Sequence, residues 1–518
     1  MKKILSKFNQ IVDLGYSGKR TWKILFLILV LAFCLRIFLI IYPEVIHNDG
    51  TEYIRHAKQI LSGDWTGGKA PPLYPFLIVM AHSMVQNYEL AGILVSLLFG
   101  SFIVLPVFYL GRSIFNEKVG ILSSLLAAVH PWLYMSSGSV LTESTYHFLL
   151  ATSVLFSWNA FRGGRWIHIT LFSLFTSFAY LTRPEAIGFP FVFAVWVLLV
   201  NPPDEKRPWI RKVGIIIVAT LSFLAFSSPY LIQIRKETGR WEISKKASVS
   251  IGSFSEEESA PSIETIKKRG MTLSSLVRNP FPVLGKVGVG FIQSLYKFQQ
   301  VYNPVLFLLA VLGWILMFAE KNRFRLKGSY YLISYFIFFF GLVLPFFWIT
   351  RRYTSQLISI AIPWAAFGYL GTMEWVDKRC AGKWRPISIS AVLFFLLLAS
   401  LFIQGRVVHS REHRFIQREV GFWMRDHLPK GAKVMSPLPQ EAFYAGLPWV
   451  RMPAGSYDEI LKEARSKEAR YLIIDEGIER DSPDFREKSG VGDLIQLRDW
   501  KRKTRKVVLF QLHDSVGK

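Results

Sequence analysis

Cysteine and acidic side chains are what this chain has least of. Two cysteines in 518 residues exclude a disulfide scaffold. Aspartate and glutamate number 37 against 62 lysines and arginines, a net charge of +25. Charged residues make up only 19% of the chain, where soluble globular proteins carry about 25%. A chain this poor in charge is not disordered, collagen-like or a coiled coil. It is rich instead in apolar residues (51%) and aromatics (15%), with a mean hydropathy of +0.29. That balance points to a polytopic membrane protein, provided the apolar residues come in long runs.

They do. Stretches free of Asp, Glu, Lys and Arg lie at 90–111, 119–135, 144–161, 166–182, 186–200, 213–234, 298–319, 328–350, 353–373 and 386–404. An eleventh, 22–42, is interrupted only by Lys23 and Arg36. Most are long enough for a hydrocarbon core of roughly 30 Å. The first is too long for a signal peptide and lacks a small-residue cleavage site, so it reads as an anchor. Residues 72–86 are apolar but short, and read as an interfacial helix begun by Pro71 and Pro72.

The excess positive charge is one-sided, which argues against nucleic acid as its partner. With eleven spans, alternate short connections hold 21 Lys and Arg on one side and six on the other. This positive-inside pattern predicts a cytoplasmic N-terminus and an outer C-terminus. The reading is a mainly α, polytopic membrane protein of about eleven transmembrane helices, with a small C-terminal extracytoplasmic α/β domain. Residues 1–404 form the membrane domain, with outer loops 43–89 and 235–297. Residues 405–518 form the soluble domain. Within it 433–436, 471–475 and 506–511 read as strands and 457–467 as a helix. The loop 235–297 holds an acidic patch, Glu256 to Glu258, and an amphipathic tail, 283–297, expected to lie on the membrane. Cys34 falls in the first span and Cys380 in a predicted cytoplasmic loop, so the outer parts hold no cysteine. They hold no Asn-x-Ser/Thr acceptor either, which suits a bacterial plasma membrane better than an endoplasmic reticulum.

Polar residues gather at the predicted outer ends. Asp49 opens the first outer loop, sharing a helical face with Tyr53, His56 and Ile60. It suits either of two roles: a general base, or the N-cap of a helix 51–61 with Glu52 completing a capping box. Thr142 and Glu143 stand before the fourth span. Arg183 and Glu185 lie in the turn LTRPEA, and Arg351, Arg352 and Tyr353 in ITRRYTS. Each alone reads as an interfacial anchor, and Arg183 with Glu185 as a local ion pair. Together, arginines on the unfavoured side call for a compensating anion, and a lipid phosphate would serve. No P-loop, Rossmann fingerprint, HExxH or G-x-S-x-G competes, and His130 and His147 lack metal-ligand spacing.

These segments resemble the GT-C membrane glycosyltransferases that use polyprenyl-phosphate sugars. The likeness is greatest to the PMT-like branch of protein O-mannosyltransferases and lipid A aminoarabinose transferases. It is carried by DGTEY at 49–53, SGDW, PPLYPFL, GRSIFNEKVGILSSLLAAVHPWLYMSS, LTES, LTRPEA, RRYTSQLISIAIP, AFYAGLP and ARYLIIDE, in that order. The resemblance implies that Asp49 is the catalytic acid, that Tyr53 lines the donor site and that Glu143 is a second acidic residue of the pocket. It implies that Arg352 and Tyr353 hold the donor phosphate; Arg183 and Lys69 are further candidate cations from their place on the predicted outer side, not from the resemblance. Gly50 stands where many relatives carry a second acid, and Ala70 where many carry lysine before the proline pair. Metal dependence therefore stays open: no cofactor is assigned, and a divalent ion is not excluded.

The implied activity is transfer of a sugar from a polyprenyl phosphate to a hydroxyl of lipid A, another glycan or a protein. The reaction would take place at the outer face of a bacterial inner membrane and invert the anomeric centre. Two other readings are a transferase using a lipid diphosphate, which would favour a metal and more acid in the first loop, and a lipid-linked sugar flippase. The flippase would show repeats and polar groups at mid-membrane, and neither is present.

Overall fold

The computed structural model describes residues 18–41, 44–65, 68, 70–202, 205–245, 280–346, 349–379, 386–408, 415–481, 485, 493–502 and 505–513. Lys69, Cys380 and Glu256 to Glu258 lie outside these. The chain falls into two compact units, Met1–Ile41 with His56–Arg406, and Tyr42–Arg55 with Val407–Lys518. The sequence had assigned all of 43–89 to the membrane domain; in the structure its first part groups with the C-terminal residues.

Every regular element described in the first unit is a helix. Helix α1 is Lys19–Ile41, and α2 (Asn48–Leu61) runs out of the second unit into the first. Then come α3 (Leu73–Val85), α4 (Tyr88–Phe102), α5 (Val104–Ile114), α6 (Glu117–Val129) and α7 (Pro131–Met135). Next are α8 (Glu143–Gly163), α9 (Trp166–Tyr180), α10 (Phe189–Leu199) and α11 (Trp209–Thr238). The rest are α12 (Pro280–Tyr302), α13 (Pro304–Glu320), α14 (Arg323–Phe336), α15 (Arg351–Thr354), α16 (Ile358–Arg379) and α17 (Pro386–Val408). Among the described residues, five helices are long and apolar enough to cross a membrane, or seven if each of two bent pairs is one span. With only 13 residues, α3 spans about 20 Å and falls short of the hydrocarbon core.

The sequence treats 298–319 as one run, but the helix breaks inside it, between α12 and α13, by 112°. Asn303 sits there at φ 79°, and its side-chain oxygen accepts from the N–H groups of Val305 and Leu306. Pro304 then starts the new helix with no N–H to satisfy. A milder 55° bend falls at His130–Pro131. Along α12, Leu284, Val289, Ile292 and Tyr296 are exposed. Helices α13 and α16 touch backbone to backbone: a Cβ on Gly368 would come within 1.9 Å of the Leu309 carbonyl oxygen. Arg36, the charge that interrupts the first run, is fully buried; it donates to the carbonyls of Ala32 and Ala128 and to Ser137 Oγ.

The second unit contains α18 (Phe415–His427), β1 (Val434–Ser436), α19 (Gln440–Ala445), β2 (Trp449–Arg451) and α20 (Tyr457–Ser466). It continues with β3 (Tyr471–Asp475), α21 (Glu476–Asp481), β4 (Leu494–Arg502) and β5 (Arg505–Leu512). The sheet order is β2-β1-β3-β5-β4, parallel in its first three strands and antiparallel thereafter. Alternate residues of β3 serve opposite faces: Leu472 and Ile474 pack under α20, Tyr471 and Ile473 under α18 and α19. A strand buried on both faces reads as a continuous apolar run, which is why YLIID was recognisable. Ser456 and Glu459 form a reciprocal capping box that starts α20.

Candidate active site

Three helix ends in the first unit bring charged residues together. Glu143 is the first residue of α8, where a carboxylate meets the positive end of the helix dipole. Arg183 precedes Pro184, which forces it into an extended conformation (φ −148°) just after α9. Arg352 sits in α15, a single turn started by Thr350, whose hydroxyl accepts from the Tyr353 N–H at 3.4 Å. The turn is braced by α12: Arg351 Nε donates to Gln300 Oε1 at 2.8 Å, and Lys297 Nζ to the Ile349 carbonyl at 2.6 Å.

Glu143 Oε1 accepts from both arginines, from Arg183 Nη1 at 3.2 Å and from Arg352 Nε. Arg183 also donates through Nη2 to Glu185 Oε1 at 3.3 Å. With its amide oxygen toward Arg183, Gln356 accepts from Nε at 3.2 Å and Nη2 at 2.9 Å. The same guanidinium lies over the rings of Tyr353 (5.0 Å) and Tyr146 (5.7 Å). Arg183 is thus engaged at all three nitrogens and on its faces. Its side chain is 9% exposed and that of Glu143 5%, whereas that of Arg352 is 28% exposed. Of the two arginines, Arg352 is the more exposed.

The cluster joins two glutamates to two arginines. The anion that the arginines were expected to await is supplied in part by the chain itself. Buried polar atoms of the cluster's members or of residues beside Glu143 in sequence, namely Glu143 Oε2, Glu185 Oε2, Thr142 Oγ1, Thr145 Oγ1 and Tyr146 Oη, have no partner among the described residues. Such atoms suit a site that takes up polar matter. Among the described residues no three His, Cys, Asp or Glu side chains group as metal ligands.

Glu143, Arg183, Arg352 and Tyr353 therefore meet in one place. Asp49 and Tyr53 lie on the first turns of α2, in the second unit; Tyr53 is buried and Asp49 half-buried. The helix begins at Asn48, so Asp49 is inside its first turn and is not the N-cap expected at 49. Thr51 Oγ1 instead donates to the Asn48 carbonyl, and the Thr51 N–H to that of His47. Tyr146 and Gln356 were not singled out from sequence. They carry no charge, and only their helical offsets, three residues after Glu143 and four after Arg352, pointed to the site.

Comparison with known proteins agrees with this architecture. Residues 69–232 match the model of the dolichyl-phosphate-mannose-protein mannosyltransferase family. No curated protein sequence is detectably similar. Among solved structures, ArnT from Cupriavidus metallidurans bound to undecaprenyl phosphate superposes with a TM-score of 0.59 at 12% identity, covering 97% of this chain and 100% of that one. The oligosaccharyltransferase AglB from Archaeoglobus fulgidus, in complex with an inhibitory peptide and dolichol phosphate, gives 0.56 at 10% identity over 88% and 69%. The mycobacterial arabinofuranosyltransferase AftD gives 0.51 at 13% over 96% and 42%. The chain has the multi-pass helical GT-C fold of these structures, and about a third of it carries the match to the mannosyltransferase family model.

Proposed function

We propose that the protein transfers a sugar from a polyprenyl-phosphate donor to a hydroxyl acceptor on the extracytoplasmic face. The observation that carries this reading is the Glu143–Arg183–Arg352 cluster at helix ends of a GT-C fold. The likeness to a structure holding undecaprenyl phosphate supports the donor class. The one-sided charge supports an outer site.

Leaving-group chemistry sets what the residues do. Polyprenyl phosphate departs as a stable anion, so cations that hold its oxygens suffice and no strong general acid is needed. Arg352, with Tyr353 beside it, takes that role, and Arg183 holds Glu143 and Tyr353 in place. Lys69 remains a further candidate cation. The acceptor hydroxyl must lose a proton as it attacks, and Asp49 is assigned as the base. Tyr53, one helical turn on, lines the donor side. Attack from the face opposite the phosphate inverts the anomeric carbon. A second reading has a lipid diphosphate as the donor; AglB, solved with dolichol phosphate, lends it no support. Mass spectrometry of lipids and glycans from a deletion strain tests both. A polyprenyl-monophosphate sugar should accumulate while one glycan, lipid A species or glycoprotein loses that sugar. Accumulation of a lipid diphosphate would favour the second reading, and an unchanged profile neither.

A further inference from the structure

The second unit holds a contact that the proposed reaction does not use. The backbone N–H of Ile46 donates to the hydroxyl of Tyr444, on α19, at 2.8 Å. Val45, Ile46 and Tyr444 are all buried. Ile46 lies three residues before Asp49, and only Asn48 separates Asp49 from the irregular segment 44–47. That segment makes no helix or strand of its own, so its path depends on such contacts.

Tyr444 is itself firmly placed. Its ring meets Phe422 of α18 edge to face at 5.6 Å, and Arg418 lies over it at 5.6 Å. Gly421 lets the two helices close: a Cβ there would stand 2.5 Å from Tyr444 Cβ and 2.7 Å from the Glu441 carbonyl oxygen. The hydroxyl is thus presented from a packed helix pair whose other members are distant in sequence from Ile46.

We infer that Tyr444 is a positioning residue that fixes the backbone leading into the Asp49 helix, and that the C-terminal domain holds the catalytic carboxylate in register. This gives that domain a role beyond capping the protein or selecting an acceptor. The inference rests on Asp49 being the base.

The test uses the full-length protein in nanodiscs. Tyr444→Phe keeps the ring and its packing and removes only the hydroxyl. Hydrogen exchange across 44–50 should quicken by roughly three- to ten-fold, the worth of one hydrogen bond. Turnover is read with the polyprenyl-phosphate sugar extracted from the deletion strain. There kcat should fall about ten-fold with KM for that donor unchanged, as a misplaced group costs rate more than binding. If Tyr444 acts through Asp49, adding Tyr444→Phe to Asp49→Asn should cost nothing more. Wild-type kcat in Tyr444→Phe, or the same ten-fold loss on top of Asp49→Asn, overturns the inference. Should Asp49→Asn turn over normally, the base assignment fails and the exchange of 44–50 alone decides whether Tyr444 holds the segment.

Discussion

Replacing Asp49 by Asn swaps one carboxylate oxygen for an amide and removes the group able to take a proton from an acceptor hydroxyl. In the first turn of α2 the change costs about 0.3–1 kcal/mol of helix-dipole stabilisation, so the variant should fold. The base role proposed for Asp49 would be worth about 10²–10⁴-fold in rate. Asp49→Asn should therefore bind donor and barely turn over in a single-turnover assay. If it stays active while Glu143→Gln is dead, the base is Glu143. That second variant is not a mild one: it takes the counter-charge from two arginines at a buried oxygen, where breaking a pair costs about 3–5 kcal/mol. Its thermal stability must be measured beside its rate. At Arg352, one charge-assisted contact contributes about 1.5–3 kcal/mol, so Arg352→Ala should weaken undecaprenyl-phosphate binding roughly ten- to hundred-fold. Unchanged affinity in a folded Arg352→Ala protein moves the phosphate elsewhere. The charged members of this cluster were legible because arginine stands out on the side that the charge pattern predicts to be unfavoured. Gln356 and Tyr146 were not, being neutral and set by helix register. Nor was the self-compensation at Glu143 Oε1 legible, since it depends on how three helix ends meet.

Elements differ in how much of themselves they show in sequence. Strands β1, β3 and β5 were recognisable because their apolar runs are buried, whereas β2 has three largely exposed residues and β4 is a polar edge strand with a bulge at Gln496–Arg498. The break at Asn303 was hidden because apolar residues continue through it; only Asn-Pro marked the turn. Helix α19 carries a consequence of its own. Burial pushes the Glu441 carboxyl up to about 7, and Asp475 adds to the effect; its Oε2 has no partner among the described residues. The native state therefore holds a proton that the unfolded chain has already released above pH 4.5. Stability from this group is fully present below about pH 4.5 and is lost as pH rises through 7, roughly 3 kcal/mol in all. Hydrogen exchange of 440–445 should accelerate from pH 6 to pH 8 beyond the intrinsic base catalysis. Glu441→Gln should abolish that excess. An excess that persists in Glu441→Gln would assign it to another group.

For the whole molecule the decisive quantity is which side of the membrane each part faces. Hydropathy alone counts spans poorly here, because breaks such as that at Asn303 divide some apolar runs: among the described residues five to seven helices pass by length and composition, against eleven runs in the full sequence. Charge is independent of those breaks. The imbalance of 21 Lys and Arg to six among the short connections holds only if the runs alternate as eleven spans with α3 left at the surface. Counting α3 as a span would invert every later loop and put the basic ones outside. The expected arrangement has the N-terminus in the cytoplasm and the C-terminal domain outside. Single cysteines in a background lacking Cys34 and Cys380 test it in intact cells. A cysteine at Lys467, an exposed position after α20, should react with a membrane-impermeant maleimide, and one at Lys321, between α13 and α14, should react only after lysis. Protection at 467 together with labelling at 321 would reverse the topology and move the Glu143 cluster to the cytoplasmic side. A donor phosphate would then have to be reached from within the cell, and the proposed reaction would lose its outer-face acceptors.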